Sequence, residues 1–307
     1  MIGRVHAGGM MKLPAAVEIT EVGPRDGFQN IKTQIPTEEK IKIIEALSGC
    51  GFKKIEITSF VHPKAVLQMA DAADVLSAIK KKFPDQFTCV TLVPNFFGAQ
   101  RAFELGTDEI TFVISASERH NLENTKQTVE QSLSAFKRVC SIKGTVLVRL
   151  AVATAFMCPF TGVVPPENVA KLIEAGKAAG ADDVALADTL GTANPLQVES
   201  LLSLLIPRYG SNVVLHIHDT YGMGLANVLT CLNMGITRFE SSVGGLGGCP
   251  FAPGASGNIA TEDLVSMLHM MNIRTGIDLD KLVQVAHMAE DTLHTPLSGH
   301  IMRSRKK

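Results

Sequence analysis

Short runs rich in β-branched residues alternate along this chain with longer segments whose apolar residues recur at helical spacing. The short runs predict buried strands, and the longer segments predict amphipathic helices. Strands are predicted over residues 17–23, 54–59, 87–93, 109–115, 145–154, 183–188, 213–219 and 238–243. Helices are predicted between them, among others over residues 37–48, 121–139, 166–180, 195–206 and 224–234.

The alternation of eight strands with helices indicates an α/β fold, and most specifically a (β/α)8 TIM barrel. A doubly wound open sheet would show the same alternation, but no G-x-G-x-x-G segment opens the first helix. Because no Pro/Ser-rich linker divides the chain, we expect one barrel domain over residues 13–307, with a C-terminal helical extension over residues 278–294. Residues 1–12 are expected to be a disordered leader.

The composition favours a protein that binds a small molecule. The chain has 307 residues, is 46% hydrophobic and carries a formal net charge of -1, so it can bury a large core and has no general attraction to nucleic acid or anionic membranes. No uninterrupted apolar stretch approaches the roughly 20 residues of a membrane helix. The six cysteines are scattered and lack C-x-x-C spacing, which predicts reduced thiols and a cytoplasmic location.

Two histidines stand out in the seventh predicted strand. His216 and His218 occupy positions i and i+2, so both side chains lie on the same face of that strand. Neutral imidazole is a common ligand of divalent metals, and the pair would supply two ligands. Two hydrogen-bonded core histidines are the alternative, which the pair alone does not exclude.

Polar residues also collect where the predicted strands end. Active sites of (β/α)8 barrels lie at the carboxyl ends of the strands. A charged side chain inside a strand costs several kcal/mol when it is buried without a partner, so these residues need one another or a cation. Structural salt bridges are the alternative explanation, and capping of loops is the alternative for the uncharged residues. The candidates are Arg25, Asp26, Gln29, Glu56, Ser59, Asn95, Asp188, His216 and His218.

Five segments together resemble one family, the 3-hydroxy-3-methylglutaryl-CoA lyases. They read GPRDGFQN at 23–30, ITSFVHPK at 57–64, DTLG at 188–191, HIHDTYG at 216–222 and GGLGGCPFAPGASGN at 244–258. The resemblance extends in order over roughly residues 17–275, which a chance motif match would not do. Isopropylmalate and homocitrate synthases are similar in the first and fourth segments, but the cysteine in the glycine-rich loop favours the lyases.

The resemblance implies a divalent metal ion and a set of site residues. The ion would be Mg²⁺ or Mn²⁺, with Zn²⁺ less favoured, because hard oxygen ligands from a hydroxy acid suit the hard ions. The implied metal ligands are Asp26, His216, His218 and Asn258. The implied catalytic residues are Arg25, Asp26, Glu56, Asp188, His216 and Cys249. The implied substrate-binding residues are Arg25, Gln29, Ser59 and Asn95.

The implied reaction is the metal-dependent retro-Claisen cleavage of 3-hydroxy-3-methylglutaryl-CoA to acetoacetate and acetyl-CoA. The ion would lower the pKa of the tertiary hydroxyl. His216 or Cys249, with Asp26 assisting, would take its proton, and the choice between them stays open. Arg25 would stabilise the charge that moves onto the thioester oxygen. The loop over residues 244–258 reads as a mobile flap that closes over the acyl-CoA substrate.

Two departures from the family pattern bear on the substrate. Ala187 stands where the family has glycine, and residues 157–161 read MCPFT in place of GCPYE. A lyase for a related, citramalyl-type 3-hydroxyacyl-CoA is therefore an alternative, and an acyl-CoA condensing synthase is another. A catalytically silent barrel that serves as a binding module is a third, although such a scaffold would not need the full residue set. The resemblance further suggests a homodimer that acts in leucine degradation and ketone body formation.

Overall fold

Eight parallel strands close into a barrel, which confirms the predicted fold. The computed structural model describes residues 13–248 and 257–305. The hydrogen-bonded order around the barrel is β1, β10, β9, β8, β5, β4, β3 and β2, and β2 also pairs with β1. These strands are β1 (Glu18–Glu21), β2 (Lys54–Ser59), β3 (Thr88–Val93), β4 (Glu109–Ser115), β5 (Leu147–Ala153), β8 (Asp183–Asp188), β9 (Val214–Ile217) and β10 (Arg238–Ser241). A short antiparallel hairpin follows β5 and consists of β6 (Met157–Cys158) and β7 (Gly162–Val163).

The helices lie between the strands and after the last one. They are α1 (Thr37–Ser48), α2 (Ala72–Lys82), α3 (Phe96–Glu104), α4 (Glu118–Thr125), α5 (Val129–Ile142), α6 (Pro166–Ala179), α7 (Pro195–Tyr209), α8 (Gly224–Asn233), α9 (Thr261–Met270), α10 (Leu279–Leu293) and α11 (His300–Ser304). No helix among the described residues has the length and the apolar composition that crossing a membrane requires.

The prediction of a single helix over residues 121–139 is wrong, because two helices occupy this region. The first ends at Thr125 and is followed by Lys126, whose backbone has a left-handed φ of 59°. The second begins with a capping box, in which Thr128 and Gln131 satisfy each other's backbone N–H groups. This Thr-x-x-Gln spacing is a helix-start signal that the apolar periodicity alone does not reveal.

Strand β5 shows how the sequence divides the inside of the barrel from the outside. Val148, Leu150 and Val152 are buried, and Leu150 packs against α6. Arg149 alternates with them and lies inside the barrel, with 0% of its surface exposed. Its guanidinium donates to Glu109 on β4 and to Glu240 on β10. The interior of this barrel therefore contains an ion cluster, in which each charge must have partners to offset its desolvation.

The C-terminal extension starts beside Cys50, before β2, and reaches the turn that follows β10. Helix α10 lies against α1, α9 and the turn Val243–Gly245 that follows β10. The carbonyl oxygen of Gly244 accepts from the backbone N–H of Ser298 at 3.0 Å. The extension thus holds the root of the glycine-rich loop over residues 244–258.

Two buried glutamates also bind the turn Val243–Gly245. Glu21 accepts from the backbone N–H of Val243 at 2.8 Å, and Glu262 accepts from that of Gly244 at 2.9 Å. Burial raises the pKa of Glu21 to about 7 and the pKa of Glu262 to about 8. The attachment of the loop therefore depends on carboxyl groups that are neutral or partly neutral near pH 7.

The substitution Glu262→Gln is expected to reduce the pH dependence of stability. The pKa of Glu262 is about 8 in the folded chain, whereas an unfolded glutamate has a pKa of about 4.3. Folding therefore takes up a proton between these values, and the folded state loses stability as the pH rises from about 5 to 8, by at most roughly 1.4 kcal/mol per pH unit for this group. Glutamine stays neutral, so the variant should lose less stability over this range.

Urea denaturation at pH 5, 6, 7 and 8 would measure this effect as the free energy of unfolding. The control is Glu199→Gln, which changes an exposed glutamate on α7 and should follow the wild-type protein. Equal pH dependence in the Glu262→Gln variant and the wild-type protein would contradict the assignment.

Candidate metal centre

The turn after β1 places Asp26 and Arg25 at the carboxyl end of the barrel. Residues Gly23–Gly27 form one tight helical turn in which every residue is buried. The guanidinium of Arg25 donates through Nη1 to Asp26 Oδ1 and through Nε to Glu56 Oε2 at 2.5 Å. Gln29 also donates to Asp26 Oδ1, at 2.9 Å. One carboxylate oxygen of Asp26, Oδ1, is thus fixed by two donors.

The charge state of Asp26 follows from these neighbours. Burial would raise its pKa, but Arg25 and the hydrogen bond from His218 outweigh burial and hold the pKa well below its usual range. Asp26 is therefore ionised at neutral pH. Glu56 differs, because burial dominates and raises its pKa in spite of Arg25.

His216 and His218 meet Asp26 with their ring nitrogens. The Nε2 atoms of the two histidines lie 3.0 Å apart. Asp26 Oδ2 lies 3.5 Å from Nε2 of His218 and 4.0 Å from Nε2 of His216. Within the described parts of the chain, these three side chains form the group of histidine, cysteine and acidic residues that is close enough to hold one metal ion.

Asn258, the fourth predicted ligand, reaches the same place. An isolated antiparallel bridge pairs it with His218. Its Nδ2 donates to Asp26 Oδ2 at 2.6 Å and to the carbonyl oxygen of Leu246 at 3.1 Å. Its Oδ1 is buried and has no hydrogen bond within the described residues. An amide oxygen without a partner is a suitable ligand for a hard cation.

This donor set fits a divalent ion. Nδ1 of His216 faces Glu240 Oε2 at 2.9 Å, so an N–H at Nδ1 leaves a lone pair on Nε2. Adjacent ligand atoms on an ion with bonds of about 2.1 Å lie about 3.0 Å apart, which matches the separation of the two Nε2 atoms. One ionised carboxylate and two imidazoles therefore converge on a single position, and the amide of Asn258 lies beside them.

The other predicted site residues make different contacts. Asn95 caps α3 by accepting from the backbone N–H of Gly98 at 2.9 Å. Asp188 accepts from the backbone N–H groups of the loop after β8, and burial raises its pKa. Ser59 is buried, and its hydroxyl has no hydrogen bond within the described residues. No hydrogen bond joins these three side chains to the Asp26 cluster in the described chain, and their roles in catalysis and substrate binding stay predictions.

Part of the predicted flap lies outside the described residues. Cys249, the candidate for proton transfer, belongs to that part, so its role stays a prediction. The described ends of the loop lie at the metal centre. Gly247 approaches it closely, since a Cβ at this position would meet Asn258 Nδ2 at 2.5 Å and Asp26 Oδ2 at 3.3 Å. Its backbone φ of 134° is a conformation that glycine adopts readily and that other residues adopt only with strain.

The departures from the family pattern lie near the barrel mouth. Cys158 in the β6–β7 hairpin accepts from the hydroxyl of Ser117 at 3.0 Å. Phe160 is 44% exposed, and the guanidinium of Arg119 lies 5.9 Å from its ring. A neighbouring cavity of about 510 Å³ is lined by residues of α4 and of this hairpin region.

Glu240 contacts His216 and Arg149 contacts Glu240, although the sequence patterns did not single out either residue. Both are charged residues inside β-branched or apolar runs, as Glu56 is. The rule that buried charges need partners applies equally to them. That signal was present in the sequence, but only the barrel shows that Glu240 reaches His216.

The chain is similar to known proteins over almost its whole length. A model of the HMGL-like family matches residues 16–289. Hydroxymethylglutaryl-CoA lyase YngG of Bacillus subtilis (strain 168) is 46% identical over 290 residues, which cover 94% of this chain and 96% of that protein. The mitochondrial hydroxymethylglutaryl-CoA lyase of Homo sapiens is 39% identical over 306 residues, which cover 99% of this chain and 94% of that protein.

Solved structures of hydroxymethylglutaryl-CoA lyases are also similar to this chain. The crystal structure of the Bacillus subtilis HMG-CoA lyase superimposes with a TM-score of 0.93 at 44% identity and covers 97% of this chain and 100% of that one. An HMG-CoA lyase from Acinetobacter baumannii, solved in complex with coenzyme A and 3-methylmalate, gives a TM-score of 0.91 at 40% identity and covers 95% of this chain and 96% of that one.

The substitution Gly247→Ala is expected to weaken metal binding although it removes no ligand. The new methyl group would displace Asn258 and press on Asp26, and disturbed support of a ligand typically costs about 10–100-fold in metal affinity. A titration with Mn²⁺, followed by electron paramagnetic resonance of the free ion, would measure the dissociation constant.

Gly248→Ala is the matched control. The three atoms nearest to a Cβ at Gly248 all belong to Asn30 and lie 3.5 Å or more away, so the Mn²⁺ affinity of this variant should stay near the wild-type value. Equal affinities of the two variants would show that the contact of Gly247 with the ligands is unimportant.

Proposed function

Because this chain belongs to the HMGL-like family, we propose that it is a carbon–carbon lyase that cleaves 3-hydroxy-3-methylglutaryl-CoA to acetoacetate and acetyl-CoA. The observation that carries the proposal is the cluster of Asp26, His216 and His218 with Arg25 bound to Asp26, in a chain similar to such lyases over almost its whole length. An acyl-CoA substrate agrees with the coenzyme A bound in the Acinetobacter baumannii structure.

We assign Asp26, His216, His218 and Asn258 as ligands of Mg²⁺ or Mn²⁺. When bound, the ion lowers the pKa of the substrate's tertiary hydroxyl and balances the charge of the resulting alkoxide. The residues fix one another for this task, since Arg25 and Gln29 hold Asp26 and Leu246 holds Asn258. A preorganised ligand set needs little rearrangement when the ion and the substrate bind.

The reaction needs one proton taken and one returned. A base removes the hydroxyl proton, the bond between C2 and C3 breaks, its electrons form the enolate of acetyl-CoA, and C2 of that enolate takes a proton back. His216 and Cys249 are the candidates for these transfers. Both ring nitrogens of His216 are engaged, Nδ1 by Glu240 and Nε2 by the ligand cluster. We therefore assign both transfers to Cys249, which takes the hydroxyl proton as its thiolate and returns it to C2 of the enolate as the thiol so formed, with Asp26 assisting.

Arg25 has the contacts that stabilisation of the enolate requires. Its Nε and Nη1 are bound to Glu56 and Asp26, which fixes the plane of the guanidinium. Its Nη2 makes no hydrogen bond within residues 13–248 and 257–305. A fixed donor directed at the thioester oxygen would bind the transition state better than the ground state, because negative charge reaches that oxygen as the bond breaks.

We further propose assignments for the remaining site residues and for the biological setting. Glu56 orients Arg25, whereas Gln29, Ser59 and Asn95 contact the acyl-CoA and Asp188 supports the barrel mouth. The protein is proposed to be a cytoplasmic homodimer that acts in leucine degradation and ketone body formation. Light scattering would test the dimer against the mass of 32.9 kDa of one chain.

The purified chain is expected to release acetoacetate from 3-hydroxy-3-methylglutaryl-CoA when Mg²⁺ or Mn²⁺ is present. Treatment with EDTA should abolish the activity, and Mn²⁺ added in excess should restore it. Cys249→Ala should lower turnover and leave Mn²⁺ affinity unchanged. If a folded, metal-loaded protein released no acetoacetate, the substrate assignment would be wrong, and other 3-hydroxyacyl-CoA thioesters would be assayed next.

Arg25→Lys is expected to lower kcat by about 10²–10³-fold, because one ammonium group cannot replace the planar donor array. Steady-state kinetics at saturating Mn²⁺ would measure the change, and thermal unfolding would check the fold. Arg101→Lys, which alters an exposed arginine on α3, is the control and should retain wild-type kcat. Retention of wild-type turnover by Arg25→Lys would refute the role in stabilising the enolate.

A further inference from the structure

Glu240 and His216 lie opposite each other on neighbouring strands. The pairing of β10 with β9 sets these two residues in register. Glu240 Oε2 lies 2.9 Å from Nδ1 of His216, and both residues are buried. The imidazole is therefore held from the side opposite to the Nε2 atom that faces His218 and Asp26.

Arg149 fixes the other oxygen of the same carboxylate. Its Nη1 donates to Glu240 Oε1, and its Nη2 donates to Glu109. Asp183 lies 3.3 Å from its Nε. Since Arg149 is fully buried and held by three carboxylates, it cannot turn away from Glu240. Both oxygens of Glu240 are thus committed, one to Arg149 and one to His216.

We propose that Glu240, held by Arg149, is a positioning residue that fixes His216 as the Nδ1–H tautomer and so presents the Nε2 lone pair to the metal ion. The inference rests on the proposed metal centre and extends it to two residues that do not touch the ion. A carboxylate at Nδ1 also makes the imidazole a stronger ligand, and loss of such a partner typically weakens metal binding about 10–100-fold.

Glu240→Gln gives a specific test because of the constraint from Arg149. The guanidinium requires an acceptor, so the amide oxygen of the glutamine faces Arg149 and its NH₂ group faces His216. Nδ1 must then accept a hydrogen bond, which moves the proton to Nε2 and removes the lone pair that the ion needs. The variant keeps the size of the side chain and reverses one hydrogen bond.

Glu109→Gln is the matched control. Glu109 is as buried as Glu240 and binds the same arginine, but it does not contact His216. Both variants remove one carboxylate from Arg149, so both are expected to lower the thermal stability. Only Glu240→Gln is expected to weaken Mn²⁺ binding, by about 10–100-fold, as followed by electron paramagnetic resonance.

The outcomes separate this inference from the proposed metal centre. The positioning role would be overturned if the wild-type chain bound Mn²⁺ and the two variants had equal affinities, whether unchanged or equally weakened. That result would leave the centre intact. A wild-type chain that binds no Mn²⁺ would overturn the centre itself and the inference with it. A tenfold or larger loss confined to Glu240→Gln would support both.

A second measurement needs no variant and covers the case in which Glu240→Gln fails to fold. Nitrogen-15 NMR of the metal-free wild-type protein reports which ring nitrogen of His216 carries the proton. At a pH high enough to keep the ring neutral, the expected result is a proton on Nδ1 and an unprotonated Nε2. A neutral ring with its proton on Nε2 would overturn the inference regardless of the metal titrations.

Discussion

The buried charge of Arg149 is the constraint on which the site depends. A guanidinium with no exposed surface would cost several kcal/mol in desolvation unless carboxylates surround it. The barrel supplies Glu109, Asp183 and Glu240 from three different strands, so strand order and register must be correct before the charge is neutralised. Glu240 then reaches His216 with its second oxygen. The carboxylate of Glu240 therefore both helps to neutralise a core charge and contacts a proposed metal ligand.

Asp26 joins parts of the chain that are far apart in sequence. Its Oδ1 is held by Arg25, and its Oδ2 accepts from Asn258, 232 residues further along the chain. His218, directly after β9, contacts the same oxygen and pairs with Asn258 through a backbone bridge. The four proposed ligands therefore come together only when the first strand, the ninth strand and the loop after the tenth have closed the barrel. Metal affinity would consequently report on the closure of the whole fold.

Periodicity predicted the eight strands of the barrel, and the resemblance to the lyase family implied the four proposed ligands, because both depend on local pattern and on order along the chain. They did not predict partners that depend on the neighbouring strand. Glu240 is separated from Arg149 by 91 residues, and their contact follows from barrel closure. The break at Lys126 was missed because the helical pattern continues across it, although Thr128 and Gln131 carry a start signal. Backbone N–H groups of the loop after β8 donate to the carboxylate of Asp188, and these hydrogen bonds depend on a loop conformation that the sequence pattern does not define.

The position of Asn258 links the metal centre to the glycine-rich loop. The loop leaves β10 at a turn that Glu21 and Glu262 hold, and it returns at Asn258, whose amide lies against Asp26. If Asn258 ligates the ion, an ion bound there favours conformations that keep this residue in place. By linkage, a substrate that favours the same position of Asn258 binds the ion-loaded chain more tightly, and the ion binds more tightly in turn.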